Sequence, residues 1–201
     1  MAIFITGGAR SGKSDFAERY AMRLGTRGIY IATSQIWDEE MRERVEQHRA
    51  IREQSGYSWS TVEEPYRLAD CLKELQAQHV SGTERPVVLV DCLTLWLSNH
   101  LLLHAPEGEE WDKGTSRELS LQLDRLTDEL IDTVAAYDGT LLLVSNEVGS
   151  GVVPAYPLGR RFRDAAGRLN RRLAQHCEEA FLVVAGMPLD LKKLAFNLEE
   201  L

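Results

Sequence analysis

The chain has 201 residues, of which 44% are hydrophobic and 27% charged. This is the profile of a globular protein of one domain or two small ones, able to bury roughly 70% of its unfolded surface without a disulfide or structural metal. Twenty-three basic residues against thirty-one acidic ones leave a net charge of −8, which argues against a nonspecific grip on nucleic acid or on an anionic membrane.

The first element is AIFIT, Ala2 to Thr6, a short apolar run that breaks into Gly7 and Gly8. No basic leader precedes it and the run is too short to anchor the chain, so a cytoplasmic protein without a signal peptide is expected. A helical pattern follows from Lys13 to about Leu24. GIYIA (Gly28 to Ala32), PVVLVD (Pro86 to Asp91), TLLLVSN (Thr140 to Asn146) and AFLVVAG (Ala180 to Gly186) read as four further strands. All five lack polar alternation, the mark of strands covered on both faces. Helical patterns lie near Asp38 to Gln54, Pro65 to His79, Ser116 to Tyr137 and Leu158 to Cys177, whereas His104 to Ser116, with Pro106, Gly108 and Gly114, reads as a surface loop. No repeat, low-complexity tract or linker divides the chain, so residues 1–201 are expected to form a single domain. Strands alternating with helices predict an α/β fold with a mainly parallel sheet flanked by helices. The three cysteines, Cys71, Cys92 and Cys177, lack CxxC spacing and are expected to be buried thiols.

GGARSGKS, Gly7 to Ser14, fits G-x-x-x-x-G-K-[ST] at every fixed position, a match expected by chance in under roughly one in a hundred chains of this length. It lies between a strand and a helix, where consecutive backbone N–H groups and the positive end of the helix can face an anion. Across Gly7, Gly8, Ala9, Arg10, Ser11, Gly12, Lys13 and Ser14 the expectation is therefore a nucleotide phosphate site, with Lys13 on the β- and γ-phosphates and Ser14 on Mg²⁺. The fold implied is P-loop NTPase-like and RecA-like. Asp91, at the end of VVLVD, supplies the acid expected to hold Mg²⁺ at the same sheet edge.

His100 and His104 are four residues apart, yet no HExxH or Cys/His cluster completes a zinc site, and both read as partly exposed helix or loop residues. His48 is different: Arg44, His48 and Arg52 recur every four residues along one helix face, with Arg49 beside them. Such a helix is often simply a solvated face. Its chemical use would be for arginines to hold phosphates while neutral imidazole attacks an α-phosphorus.

Together, GGARSGKS, YIATSQIWDEEMRERVEQHRAIR, VDCLTLWLSN and VSNEVGSGVVPAYPLGRRFRDAAGRLNRRLA resemble the bifunctional adenosylcobinamide kinase / adenosylcobinamide-phosphate guanylyltransferase family of cobalamin biosynthesis. The resemblance implies ATP- or GTP-dependent phosphorylation of adenosylcobinamide. GMP is then transferred from GTP, through a GMP-histidine, to adenosylcobinamide phosphate. It places the guanylylated histidine at His48, the phosphate loop at Gly7 to Ser14, and further nucleotide contacts at Ala32, Thr33, Ser34, Arg49, Ala50, Ile51, Arg52, Glu63 and Asp91. It also implies Mg²⁺ and a homo-oligomer, a trimer, and makes the segment Asn146 to Pro154 part of the active-site surround. Without it, Glu63 reads as a solvated loop acid. Arg160, Arg161, Arg163, Arg168, Arg171 and Arg172 leave two readings open, a phosphate or subunit contact and a solvated face. Glu53 to Tyr57 and His104 to Ser116 match no part of the family pattern, and the tail Leu189 to Leu201 is longer than the ending the family implies.

Three alternatives stand beside this reading. One is a small-molecule P-loop kinase without a covalent nucleotide intermediate. Another is a guanylyltransferase that lacks the kinase step. The third is a nucleotide-dependent switch or recombinase-like core, which the acidic balance disfavours.

Overall fold

The structure, a computed structural model, describes residues 1–35, 39–79, 83–105 and 113–196. The elements in chain order are β1 (Ala2–Gly7), α1 (Lys13–Leu24), β2 (Arg27–Ala32), α2 (Glu39–Gln54), β3 (Ser58–Glu63), α3 (Leu68–Ala77) and β4 (Val87–Asp91). They continue with α4 (Leu93–His104), α5 (Lys113–Ala136), β5 (Leu141–Asn146), α6 (Pro157–His176), β6 (Glu179–Val184), β7 (Met187–Asp190) and α7 (Leu191–Leu194). The strands form one sheet in the order β3-β2-β4-β5-β1-β6-β7, parallel except for the β6–β7 pair. One strand, β5, therefore separates the strand that enters the phosphate loop from the strand that carries Asp91.

Apolar residues on both faces of the central strands explain why these runs showed no alternation. Ile3 and Ile5 of β1 point with Val87, Leu89, Leu142 and Val144 toward α1, where Ala17 and Ala21 are fully buried. Phe4, with Val88, Val90, Leu141 and Leu143, faces the opposite layer, built from α3, α4, α5 and α6 around Trp96, Leu130 and Leu169. Burial on this scale, roughly 25 cal/mol per Å² of apolar surface, supplies the main driving force for the fold.

Several expectations are corrected. Among the described residues seven strands form instead of five. β3 reads SWSTVE and is an edge strand with a mostly exposed pattern, while β7 is an antiparallel edge strand; neither is an apolar run. β6 is buried only in part, because its outer neighbour β7 is exposed, and it ends at Val184, before the positive-φ residues Ala185 and Gly186. His100 and His104 both lie on α4, and His100 is 7% exposed. Its Nε2 lies 3.0 Å from the Tyr66 carbonyl and its ring packs edge-on against Trp96. That helix is apolar nearly all round, which hid its period. Residues 106–112 of the expected loop, Asp38 and residues 197–201 lie outside the described residues.

All three cysteines are buried and free. The arginines of α6 largely face partners within the chain: Arg168 and Arg172 pair with Asp124 and Asp128 of α5, and Arg160 donates to the Pro154 and Ala155 carbonyls. Arg161 donates to the carbonyl and hydroxyl of Ser116. Among the described residues no helix is long and apolar enough to cross a membrane.

Leu89 is fully buried in the centre of the sheet. Leu89→Ala is expected to lower unfolding stability by about 2–5 kcal/mol, measured by urea denaturation; a loss under about 0.5 kcal/mol, as at surface positions, would contradict this packing.

Candidate nucleotide site

β1 is flanked on both sides by parallel strands, so its chain can leave only at the carboxyl edge of the sheet, where it turns through residues 8–12 into α1. The turn is tight. A Cβ at Gly7 would stand 2.5 Å from both Ser11 Oγ and the Val183 carbonyl oxygen, closer than any side-chain carbon tolerates. Gly12 sits at φ +89° as the residue before α1, and a Cβ there would meet Gly186 Cα at 3.2 Å. The loop is closed by the Ser11 N–H donating to the Gly8 carbonyl at 3.3 Å and braced by the Gly186 N–H donating to the Ser11 carbonyl at 2.8 Å. Lys13 is 6% exposed, with Nζ donating to the Gly8 carbonyl at 3.2 Å.

Beside this loop the sheet register sets three residues level: Ala32 of β2 pairs with Glu63 of β3 on one side and Asp91 of β4 on the other. All three line one pocket with Lys13, Ser14 and Ser34, and α2 closes its other side with His48, Arg49 and Arg52. A second, adjoining depression brings Arg10, Ser11, Gly12, Lys13 and Ser14 against His48. The structure thus brings together most of the expected residues, with His48 on the border of both depressions.

Six expected positions line neither. Gly7 is buried at the end of β1, and Gly8 and Ala9 are exposed. Thr33 is fully buried: its hydroxyl donates to the Cys92 carbonyl at 2.7 Å and accepts from the Cys92 N–H at 2.9 Å, joining β2 to the end of β4. Ala50 and Ile51 lie on the exposed side of α2, Ile51 at 60% exposure. Arg52 does line the pocket, but its guanidinium is 3.3 Å from Glu18 Oε1 and 3.6 Å above the Tyr30 ring. Glu63 is a strand-end residue rather than a loop acid.

Further residues in the pocket, and one behind it, were not among the expected nucleotide contacts. Tyr30 looked like strand interior, yet its hydroxyl donates to Asp91 Oδ2 at 3.1 Å; burial, with the Asp91 carboxylate beside it, holds the phenol well above its ordinary range, so it stays a donor. Asn146, at the end of β5, donates from Nδ2 to Thr94 Oγ1 and accepts at its carbonyl from Asn170, which in turn accepts from Ser145. Cys92 also lines the pocket, but burial and the neighbouring Asp91 push its thiol up to about 11, which leaves no thiolate nucleophile. Glu18, which does not line the pocket but stands behind Arg52, is the least expected. A glutamate on a P-loop helix has no sequence signal for burial, and only the arrival of Arg52 from α2 explains it.

Ser14 and Asp91 offer one hydroxyl and one carboxylate to the same pocket, beside the lysine that would meet phosphate. Two hard oxygen donors with room for phosphate oxygens and water suit Mg²⁺, which keeps much of its own hydration.

This combination of loop, acid and sheet order defines a phosphate-loop, nucleoside-triphosphate-binding protein of RecA-like architecture. An ATPase from the type III secretion system of pathogenic bacteria shares the fold, with a TM-score of 0.53 over 98% of this chain and 59% of that one at 13% identity. Residues 3–191 match the family described as cobinamide kinase / cobinamide phosphate guanyltransferase, and the chain belongs to that family of cobalamin-biosynthesis enzymes. It is 42% identical to the bifunctional adenosylcobalamin biosynthesis protein CobP of Pseudomonas aeruginosa, over 96% of this chain and 98% of that protein. To the bifunctional adenosylcobalamin biosynthesis protein CobU of Escherichia coli it is 37% identical, over 96% and 100%.

Burial raises the Glu18 carboxyl to about 7 against the lowering pull of Arg52. The folded state then holds this proton more tightly than the unfolded chain, whose carboxyl titrates near the ordinary 4.5. The stability so contributed is fully present below that value and is lost as pH rises to about 7. The melting temperature of wild type relative to Glu18→Gln is therefore expected to fall between these limits and level off above them. A difference independent of pH across the window would show that Glu18 titrates normally.

Proposed function

We propose that this chain phosphorylates the aminopropanol hydroxyl of adenosylcobinamide with ATP or GTP, and then transfers GMP from GTP to adenosylcobinamide phosphate through a GMP-His48 intermediate. The observation that carries the reading is the placement of His48 opposite the phosphate loop, on the border it shares with Lys13 and Ser14.

In the kinase step the corrinoid hydroxyl oxygen attacks the γ-phosphorus, and the bond to the β–γ bridging oxygen breaks. In the second step an imidazole nitrogen of His48 attacks the α-phosphorus of GTP; a P–N bond forms and the bond to pyrophosphate breaks. The phosphate oxygen of adenosylcobinamide phosphate then attacks the same phosphorus. The histidine is regenerated and adenosylcobinamide-GDP is released. One loop serves both leaving groups, because backbone N–H groups and Lys13 stabilise the charge that develops on the β- and γ-phosphates whichever bond breaks. Mg²⁺, held by Ser14 and Asp91, would supply further charge neutralisation there. Attack on the α-phosphorus requires the His48 nitrogen within roughly 3–3.5 Å of it, so α2 moves toward the loop when GTP binds. Arg49 and Glu63, with the backbone at Ala32 and Ser34, would hold the rest of the nucleotide. The reading includes residues 1–201 as one cytoplasmic domain that assembles as a homotrimer.

Incubation with α-labelled GTP and Mg²⁺, followed by denaturation, is expected to leave an acid-labile, base-stable label on wild type and none on His48→Ala. Wild type that binds GTP but takes no label would instead favour a P-loop kinase without a covalent intermediate. Lys13→Ala is expected to slow both transfers by about 10²-fold or more, followed as label uptake from α-labelled GTP and from γ-labelled ATP; loss of one alone would refute a shared loop.

A further inference from the structure

The helix that carries His48 is held to the protein in an unusual way. Among the described side chains of α2, Arg52 alone is buried, at 5% exposure; Val45 and His48 are half-buried and the others are exposed. An amphipathic helix normally docks through an apolar stripe. Here the docking contact is a charge, and its partner is Glu18, 6% exposed, with Arg52 Nη1 and Glu18 Oε1 3.3 Å apart. The guanidinium also stacks on Tyr30, whose hydroxyl is bonded to Asp91.

The position of this pair along the two helices is what gives it a consequence. Glu18 lies four residues after Ser14 on α1, and Arg52 lies four residues after His48 on α2. Residues four apart share a helix face. One turn back from the ion pair, on each helix, stand the phosphate-loop serine and the histidine that line the same pocket. α1 is fixed by Ala17 and Ala21 against β1, β4 and β5, so it acts as the reference, and the ion pair sets the register of α2 against it.

We propose that Glu18 is a positioning residue: by holding Arg52 it sets His48 in register with Ser14 and the phosphate loop, so that guanylyl transfer depends on it while γ-phosphoryl transfer does not. The inference rests on the GMP-histidine reading above. Tyr30 supports it by fixing the plane of the guanidinium, a geometry lysine would not reproduce.

The test compares wild type, Glu18→Ala, Glu18→Gln and Glu18→Asp in two single-turnover assays: acid-labile GMP label from α-labelled GTP, and phosphate transfer from γ-labelled ATP to adenosylcobinamide. For Glu18→Ala the rate of label formation is expected to fall at least ~tenfold, since small displacements of a nucleophile are costly. GTP affinity and the phosphoryl-transfer rate are expected to stay within about twofold. Glu18→Asp, which keeps the charge, is expected to recover part of the loss, and Glu18→Gln, nearly isosteric, guards against a variant that fails to fold. Normal label formation in folded Glu18→Ala or Glu18→Gln would overturn the proposal. So would an equal fall in both reactions, which would assign Glu18 to the loop itself. Absence of label in wild type would instead overturn the GMP-histidine reading, and this inference with it.

Discussion

The close approach of backbone to backbone at Gly7 and Gly12 is the constraint from which the rest of the site follows. A strand buried on both faces must leave the sheet at its edge, and here it must re-enter as a helix five residues later without a side chain between the loop and its neighbours. Gly7 packs against the Val183 carbonyl of β6 and Gly12 against Gly186 in the turn after that strand, so the loop is pressed onto the end of β6. The acids fall into place for a related reason: parallel register sets the last residues of β2, β3 and β4 level, so Glu63, Ala32 and Asp91 meet without any contact among their side chains being needed.

What the sequence made legible was what depends on local pattern. Unalternated runs marked the strands buried on both faces, and the glycine spacing with its lysine and serine marked the phosphate loop. Edge strands β3 and β7 were missed because exposure removes the apolar run that announces a strand, and α4 because a helix apolar nearly all round has no face to reveal its period. The site divided along the same line. The phosphate loop and Asp91 were readable from the residues alone, and His48 as a possibility. Glu63, Ala32, Ser34 and Arg49 came from family resemblance and are seen to share the pocket. Tyr30 and Glu18 were invisible because their roles depend on partners 61 and 34 residues away in the chain.

The contrast between α1 and α2 is physical rather than formal. α1 contributes apolar side chains to the core and moves only if the sheet moves. Among the described side chains of α2 the one that is buried, Arg52, meets the body in an ion pair, an arrangement whose desolvation cost offsets much of its attraction. A helix docked this way sits in a shallow energy well. The proposed chemistry, with the histidine presented to the α-phosphorus in one reaction and kept clear of the γ-phosphorus in another, would be served by one rigid helix and one weakly held one.

The brace between Ser11 and Gly186 has a consequence for how the protein comes into being. The phosphate loop is synthesised well before the turn at Ala185 and Gly186, which supplies the hydrogen bond that steadies it. β1 likewise has no sheet partner until β5 and β6 have been made. The nucleotide motif therefore stays unformed until β5, β6 and the turn after them have been made, and the ability to hold a nucleotide arises together with closure of the sheet.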